Sequence, residues 1–110
     1  MESMQISSDV IRGYNDVMIL RVLLDGDSYG YEISKKIREL SEDTYTMKET
    51  TLYSAFSRLE KSGYLTSYAG SESGGRERTY YSLSQSGKNY YREKCLEWAL
   101  TKDLIAKFIV

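Results

Sequence analysis

The fold is decided by residues 48–63, which read KETTLYSAFSRLEKSG. Apolar residues recur in this stretch with the spacing of one helical face, and they are Leu52, Ala55, Phe56 and Leu59. Thr46 and Glu49 match a capping box at the start of the helix. Gly63 can adopt the left-handed backbone conformation that commonly ends a helix. We therefore predict an amphipathic helix that buries one face.

The opposite face of this helix differs from the Glu/Lys mixture of an ordinary solvated surface. It carries short hydroxyls, a phenol and cations, on Thr50, Tyr53, Ser54, Ser57, Arg58 and Lys61. Such groups suit close approach to phosphates and base edges. This stretch alone leaves two interpretations open: a surface that reads nucleic acid, or a core helix with a Ser/Thr-rich exterior.

Length and composition predict one small globular domain. The chain has 110 residues and 41% hydrophobic content, enough for a modest core. A formal net charge of -1 gives no global argument for nucleic acid. The lone Cys95, the lack of a signal-like start and the lack of a long apolar run predict a cytoplasmic protein with no membrane partner.

The inventory of reactive side chains argues against an enzyme. The sequence has no histidine, one cysteine, no glycine-rich phosphate loop and no carboxylate pair in a motif. Metal-ligand spacing is also missing. We predict no catalytic residues, no metal site and no cofactor.

The segment before the central helix predicts two further helices. The first begins at a cap among residues 7–9 and ends at about Leu24, and its second half is apolar almost all the way round. A short monomer could hardly cover such a helix, which indicates a partner chain. The second helix begins near Tyr29, after a turn at residues 25–28.

The second helix directs Ile33, Ile37 and Leu40 inward. Gly30 in its first turn indicates close backbone packing. A short polar loop then leads to the central helix, so the pair has the pattern of a helix-turn-helix.

A hairpin follows the central helix. Residues 64–68 and 79–83 are predicted strands, rich in β-favouring side chains. The intervening tip is glycine-rich and carries Arg76 and Arg78. A hairpin in this place is typical of a wing.

The last predicted helix is capped by residues 84–87 and runs nearly to Val110. It has two apolar stripes on nearly opposite sides, of which one can pack on the first helix and the other requires a second subunit. The predicted fold is mainly α with a small β-hairpin, a winged helix-turn-helix in the order α-α-α-β-β-α. Residues 1–83 form the DNA-binding domain, and residues 84–110 form a dimerisation helix that is one compact unit with the first helix.

Three motifs resemble the winged-helix core of PadR-type transcriptional regulators. They are YGYEI at residues 29–33, TLY at 51–53 with RLEKSG at 58–63, and GRERTYYSLS at 75–84 with Gly87. The resemblance covers about Val10 to Trp98, and the order of the three motifs makes it specific. Two departures are Ser54, where the family often has proline, and a wing that Glu77 and Thr79 make less basic.

The single C-terminal helix with Trp98 resembles the short, multidrug-responsive PadR members of the LmrR type. That resemblance implies a homodimer in which paired tryptophans and the first helices line a pore for planar aromatic molecules. The pore residues it implies are Val10, Tyr14, Val17, Arg21, Cys95, Trp98, Ala99 and Lys102. Arg21 and Lys102 would favour a neutral or anionic ligand over a cationic one.

The expected function is a DNA-binding regulator on a palindromic double-stranded operator, a repressor that a small planar ligand at the dimer interface releases. Its DNA-contacting residues would be the outer face of the central helix together with Arg76 and Arg78. The alternative is a dimeric small-molecule or protein-binding module on the same scaffold, with weak DNA affinity.

Overall fold

The computed structural model describes residues 5–71 and 75–110. Five α-helices and three strands follow one another in these ranges. They are α1 (Ser8–Ile11), a 3-10 turn (Arg12–Tyr14), α2 (Asn15–Leu24), β1 (Ser28–Tyr29), α3 (Gly30–Leu40), α4 (Glu49–Lys61), β2 (Leu65–Ser71), β3 (Glu77–Leu83) and α5 (Gln85–Ala106). The mainly helical fold with a small antiparallel sheet is confirmed.

Helix α4 buries the face that the sequence predicts. Its four apolar residues are at most 2% exposed, and they are Leu52, Ala55, Phe56 and Leu59. The helix ends at Gly63, whose φ is 82°. The N–H of Gly63 donates to Glu60 O at 3.0 Å, and that of Tyr64 donates to Leu59 O at 2.9 Å. This pair of bonds is a Schellman motif, so the predicted stop is confirmed.

The predicted capping box at the start of α4 is wrong. Lys48 is the N-cap residue, with extended backbone and no side-chain capping bond, so Thr46 lies too early in the chain to cap. Met47 is buried in the core at this point. We attribute the late start of the helix to this side chain, because the backbone stays extended while Met47 reaches the core.

The first predicted helix is interrupted. Ser7 caps α1 as expected, since its side chain accepts from the N–H of Val10, but the 3-10 turn separates α1 from α2. The expectation that residues 17–24 need a partner chain is wrong for most of the segment. Helices α3, α4 and α5 and strand β3 all contact α2, and four of its residues, Ile19, Leu20, Val22 and Leu23, are buried within this one chain.

Helix α3 follows the prediction at two of three positions. Ile33 and Ile37 are buried, whereas Leu40 is 60% exposed. Leu40 is the last residue of α3 and borders an open groove with Val17 and Tyr91.

The sheet has a third strand that the sequence did not reveal. β3 is central and pairs antiparallel with β2 on one side and with β1 on the other, where Ser28 faces Tyr81 and Tyr29 faces Tyr80. The expected turn at residues 25–28 therefore ends one residue early. Strands β2 and β3 are also longer than predicted, and the rest of the predicted tip, residues 72–74, lies outside the described residues.

Tyrosine side chains connect the sheet to the helices. Tyr81 is buried and stacks on Phe56 with ring centroids 4.0 Å apart. Tyr64 stacks on Tyr90 of α5 at 4.2 Å. Such rings fill half-buried positions while their hydroxyls stay near water, which accounts for part of the high count of 11 tyrosines.

Helix α5 is long and mostly uncovered. It spans 22 residues, about 33 Å at 1.5 Å per residue. Ser84 caps it by accepting from the N–H of Gly87 at 3.0 Å, as predicted. Gly87 is the one buried residue of α5. The apolar residues of both stripes from Leu96 onward are exposed, and they are Leu96, Trp98, Leu100, Leu104 and Ile105.

Gly87→Ala is expected to destabilise the fold. A Cβ at this position would meet the carbonyl oxygen of Tyr64 and lie 2.7 Å from Leu83 Cδ1. Overpacking against fixed backbone costs about 1–3 kcal/mol. The advantage of alanine as a helix former, about 1 kcal/mol in a helix interior, is smaller at this position in the first turn of α5 and offsets only part of that cost. Urea unfolding should therefore give a lower free energy of unfolding.

Gly13→Ala is the matched control for this substitution. Nothing lies within 4 Å of a Cβ at Gly13, so its effect should stay within about 0.5 kcal/mol. A Gly87→Ala protein as stable as the wild type would contradict the packing described here.

Candidate nucleic-acid interface and apolar cleft

The outer face of α4 is exposed along its whole length. The structure brings the predicted DNA-contacting residues together on this face. They are all solvent-exposed, and they are Thr50, Tyr53, Ser54, Ser57, Arg58 and Lys61. Because the opposite side of α4 is fixed in the core, this row of hydroxyls and cations has a fixed direction. It is open to solvent.

Two residues of this face are also engaged within the chain. The Arg58 guanidinium donates to the Asp16 carboxylate of α2, and the Arg58 side chain is 57% exposed while that of Asp16 is 20% exposed. Tyr53 lies edge-on to Phe56 at 5.4 Å, and its hydroxyl occupies the space that a Cβ at Gly30 would need. Close packing at Gly30, expected from the sequence, is thereby confirmed.

The two arginines predicted on the wing are placed differently. Arg76 is exposed at the start of the β3 side of the hairpin. Arg78 is half-buried, with its guanidinium 4.6 Å from the centroid of the Tyr29 ring. This cation–π contact depends on β1, the strand that the sequence did not reveal. The sequence pattern made Arg76 and Arg78 look equivalent, whereas the structure exposes Arg76 and packs Arg78 against the Tyr29 ring.

A polar cleft of about 320 Å³ lies between α4 and the start of α2. Its polar lining residues are Arg12, Asn15, Thr50, Thr51, Ser54 and Arg58. Arg12, in the 3-10 turn, was not identified from the sequence. Arg12 is one of only two cations in the largely apolar segment of residues 8–24, beside Arg21, and this was the faint signal that could have pointed to it.

An apolar cleft of about 710 Å³ lies between the N-terminal segment and α5. Its lining includes five of the pore residues that the resemblance implied, and these are Val10, Tyr14, Val17, Cys95 and Trp98. Trp98 is 48% exposed and meets the edge of the Tyr14 ring at 5.5 Å. A half-exposed tryptophan at an open apolar wall is accessible to a planar molecule.

The other three implied pore residues do not line this cleft. Arg21 borders the neighbouring groove and pairs with Asp25 at 3.1 Å. Ala99 and Lys102 are exposed on α5 outside the cleft, since the helix presents Thr101 to it instead. The two cations that favoured a neutral or anionic ligand over a cationic one are therefore absent from the wall.

The charged residues of the apolar cleft are Asp9, Lys94 and Glu97. Lys94 donates to the Glu97 carboxylate at 2.9 Å, and this bond raises the pKa of Lys94. Burial, reinforced by a hydrogen bond with the Cys95 thiol, raises the pKa of the Tyr91 phenol. The wall thus carries one paired cation and two carboxylates.

Residues 5–71 and 75–110 contain neither a candidate metal site nor a membrane-spanning helix. No group of three or more His, Cys, Asp or Glu side chains in these ranges could hold a metal ion. Among the helices described there, none is long and apolar enough to cross a membrane.

Helices α3 and α4, joined by the loop at residues 41–48 and followed by the β2–β3 hairpin, form a winged helix-turn-helix. The profile of the Transcriptional regulator PadR-like family matches residues 19–93. The chain belongs to this family. It is a transcriptional regulator of a DNA-binding class and not an enzyme.

Solved structures and a curated relative support this assignment. The chain is 59% identical to a transcriptional regulator from Clostridium thermocellum, with a TM-score of 0.87 and coverage of 96% of this chain and 99% of that one. It is 37% identical to a PadR family transcription regulator from Clostridium difficile, with a TM-score of 0.77 and coverage of 89% and 100%. An uncharacterized protein from Lysinibacillus sphaericus is 43% identical over 94% of this chain and 95% of its own length.

The Arg58–Asp16 pair is expected to contribute little to stability. Arg58 is more than half exposed, and pairs of this kind are worth about 0.2–1 kcal/mol. A double-mutant cycle with Arg58→Gln and Asp16→Asn, followed by urea unfolding, should give a coupling energy below about 1 kcal/mol. A coupling of several kcal/mol would mean that Arg58 is fixed by folding and not available to a ligand.

Proposed function

We propose that the chain is a homodimeric repressor that binds a palindromic double-stranded operator through α4. The observation that carries this proposal is the outer face of α4, where hydroxyls and cations are exposed while the opposite face is fixed in the core. A helix held in this way presents its side chains at constant positions. This is what insertion into a major groove requires.

The contacts to DNA would be mainly to phosphates. Short hydroxyls and single cations position a helix on the backbone, and few of them can distinguish bases. In the wing, the exposed Arg76 would reach the backbone beside the groove. Arg78 would join it from its place over the Tyr29 ring, which supports its side chain.

Dimerisation would use residues 84–110 together with the N-terminal segment. Leu96, Leu100 and Leu104 expose more than half of their surface on α5, and exposed apolar rows of this kind are typical of interaction surfaces. A second copy would cover them. The two α5 helices would then set the distance between the two reading helices, as a palindromic site requires.

A planar small molecule at the apolar cleft would release the repressor, as in regulators of the LmrR type. The volume of the cleft lies in the usual range for ligand sites, and Trp98 offers a ring for stacking. The charged groups that line this cleft are two carboxylates and one cation that is already paired with one of them. This charge distribution gives no reason to expect an anionic ligand. Release requires that the ligand bind the free dimer more tightly than the DNA-bound dimer.

The alternative function is a dimeric module that binds small molecules or proteins and has weak DNA affinity. The net charge of -1 and the engagement of Arg58 by Asp16 favour it. The two functions predict different affinities for the DNA duplex upstream of the protein's own gene: tight binding for a repressor and weak binding for the alternative. This duplex is the natural test because such regulators commonly control their own genes.

Arg58→Ala and Lys61→Ala are each expected to weaken binding to that duplex by about tenfold, the loss of one charge-assisted hydrogen bond. Gel shift measures the affinity, while urea unfolding and sedimentation check folding and assembly. Lys88→Ala, another exposed lysine away from α4, is the control and should bind as the wild type does. Unfolding of either variant, or wild-type affinity in both, would contradict the role proposed for α4.

Titration with planar aromatic compounds is expected to quench Trp98 fluorescence saturably at micromolar concentrations. Trp98 is the only tryptophan, so the signal has one source. Tyr14→Ala should weaken the quenching because it removes the ring that contacts Trp98, and Tyr31→Ala on α3 is the matched control. A blue-shifted spectrum that no compound changes would mean a closed interface without a ligand site.

A further inference from the structure

We propose that the polar cleft is a binding site for a backbone phosphate of the operator, with Arg12 and Arg58 as its two cationic ligands. This inference rests on the proposed function and extends the DNA interface beyond α4. It assigns the 3-10 turn before α2 to that interface. The ligand is a phosphodiester group at the edge of the major groove.

The geometry brings donors of two kinds to one cleft. Arg12 of the 3-10 turn and Arg58 of α4 both line the cleft, together with Thr50, Thr51 and Ser54. A guanidinium has five N–H donors in a fixed fork, and a hydroxyl adds one more. This set matches a phosphate, whose charged oxygens accept several hydrogen bonds at once.

The position of the cleft favours a phosphate of the DNA backbone over free phosphate as its ligand. Thr50, Ser54 and Arg58 belong both to the cleft and to the outer face of α4. If α4 enters a major groove, the cleft beside it faces the strand that borders the groove. Arg12 would then grip the backbone while the rest of α4 faces the bases.

Both guanidiniums have carboxylate partners within the chain. Arg12 pairs with Asp9 at 3.1 Å, and both side chains are largely exposed, so this pair is weak. Arg58 pairs with Asp16. Each carboxylate occupies only part of a five-donor fork, so the remaining N–H groups can donate to a phosphate while the carboxylate orients the side chain.

Arg12→Gln tests the proposal on the duplex upstream of the protein's own gene. Loss of one phosphate contact should weaken binding about fivefold and lower the slope of log affinity against log salt by about one. The loss should be the same on an unrelated duplex, because a phosphate contact carries no sequence information. Circular dichroism and thermal melting should remain those of the wild type, since Arg12 is exposed.

Arg92→Gln is the matched control. Arg92 is also exposed and donates to a side chain three residues earlier, Asn89 at 3.1 Å, as Arg12 does to Asp9. It precedes the exposed apolar residues of α5, which begin at Leu96, so the variant should keep wild-type assembly in sedimentation as well as wild-type affinity and salt slope. Duplexes with one neutral methylphosphonate at successive positions refine the test: one position should weaken the wild type more than it weakens Arg12→Gln, in which only Arg58 still contacts that phosphate.

Three results would overturn the proposal, and they have different meanings. If Arg58→Gln and Lys61→Ala weaken binding but Arg12→Gln does not, only the phosphate site is wrong. If the wild type binds no duplex, the proposed function fails and this site fails with it. If inorganic phosphate at constant ionic strength raises the melting temperature of the wild type but not of Arg12→Gln, while both bind DNA equally, the site takes free phosphate and not the DNA backbone.

Discussion

Burial of one face of α4 is the constraint on which the rest of the structure depends. Phe56 is fully buried and stacks on Tyr81, and Tyr81 belongs to the central strand of the sheet. Burying an aromatic side chain of this size contributes about 1.5–3 kcal/mol. This contact helps to fix α4 and the hairpin to each other. The direction of the polar face of α4 follows from it.

The short segment of residues 8–14 connects the two clefts. Asp9 lines the apolar cleft, and its carboxylate pairs with Arg12 in the polar cleft. Tyr14, two residues after Arg12, contacts Trp98 of α5. A shift of this segment therefore changes the walls of both clefts together. The segment is one turn of α-helix and one of 3-10 helix, without a buried residue of its own.

Much of the fold could be predicted because its signals are local. The apolar spacing of α4, the stop at Gly63 and the cap at Ser84 each involve residues within a few positions of one another, and all three are present. The family follows from the same patterns. The start of α4 was misplaced, and Met47 just before it is buried in the core, a tertiary contact that the local pattern does not show.

The sequence by itself determined the buried face of α4, the hairpin and the capped C-terminal helix. Only the tertiary structure decided which cations are engaged and which side chains share a cleft. The Arg58–Asp16 pair joins residues 42 positions apart, and Arg78 meets Tyr29 only because β1 pairs with β3. Periodicity reports on neighbours along the chain, whereas these contacts arise when helices and strands pack. Distant partners leave no pattern in a single sequence.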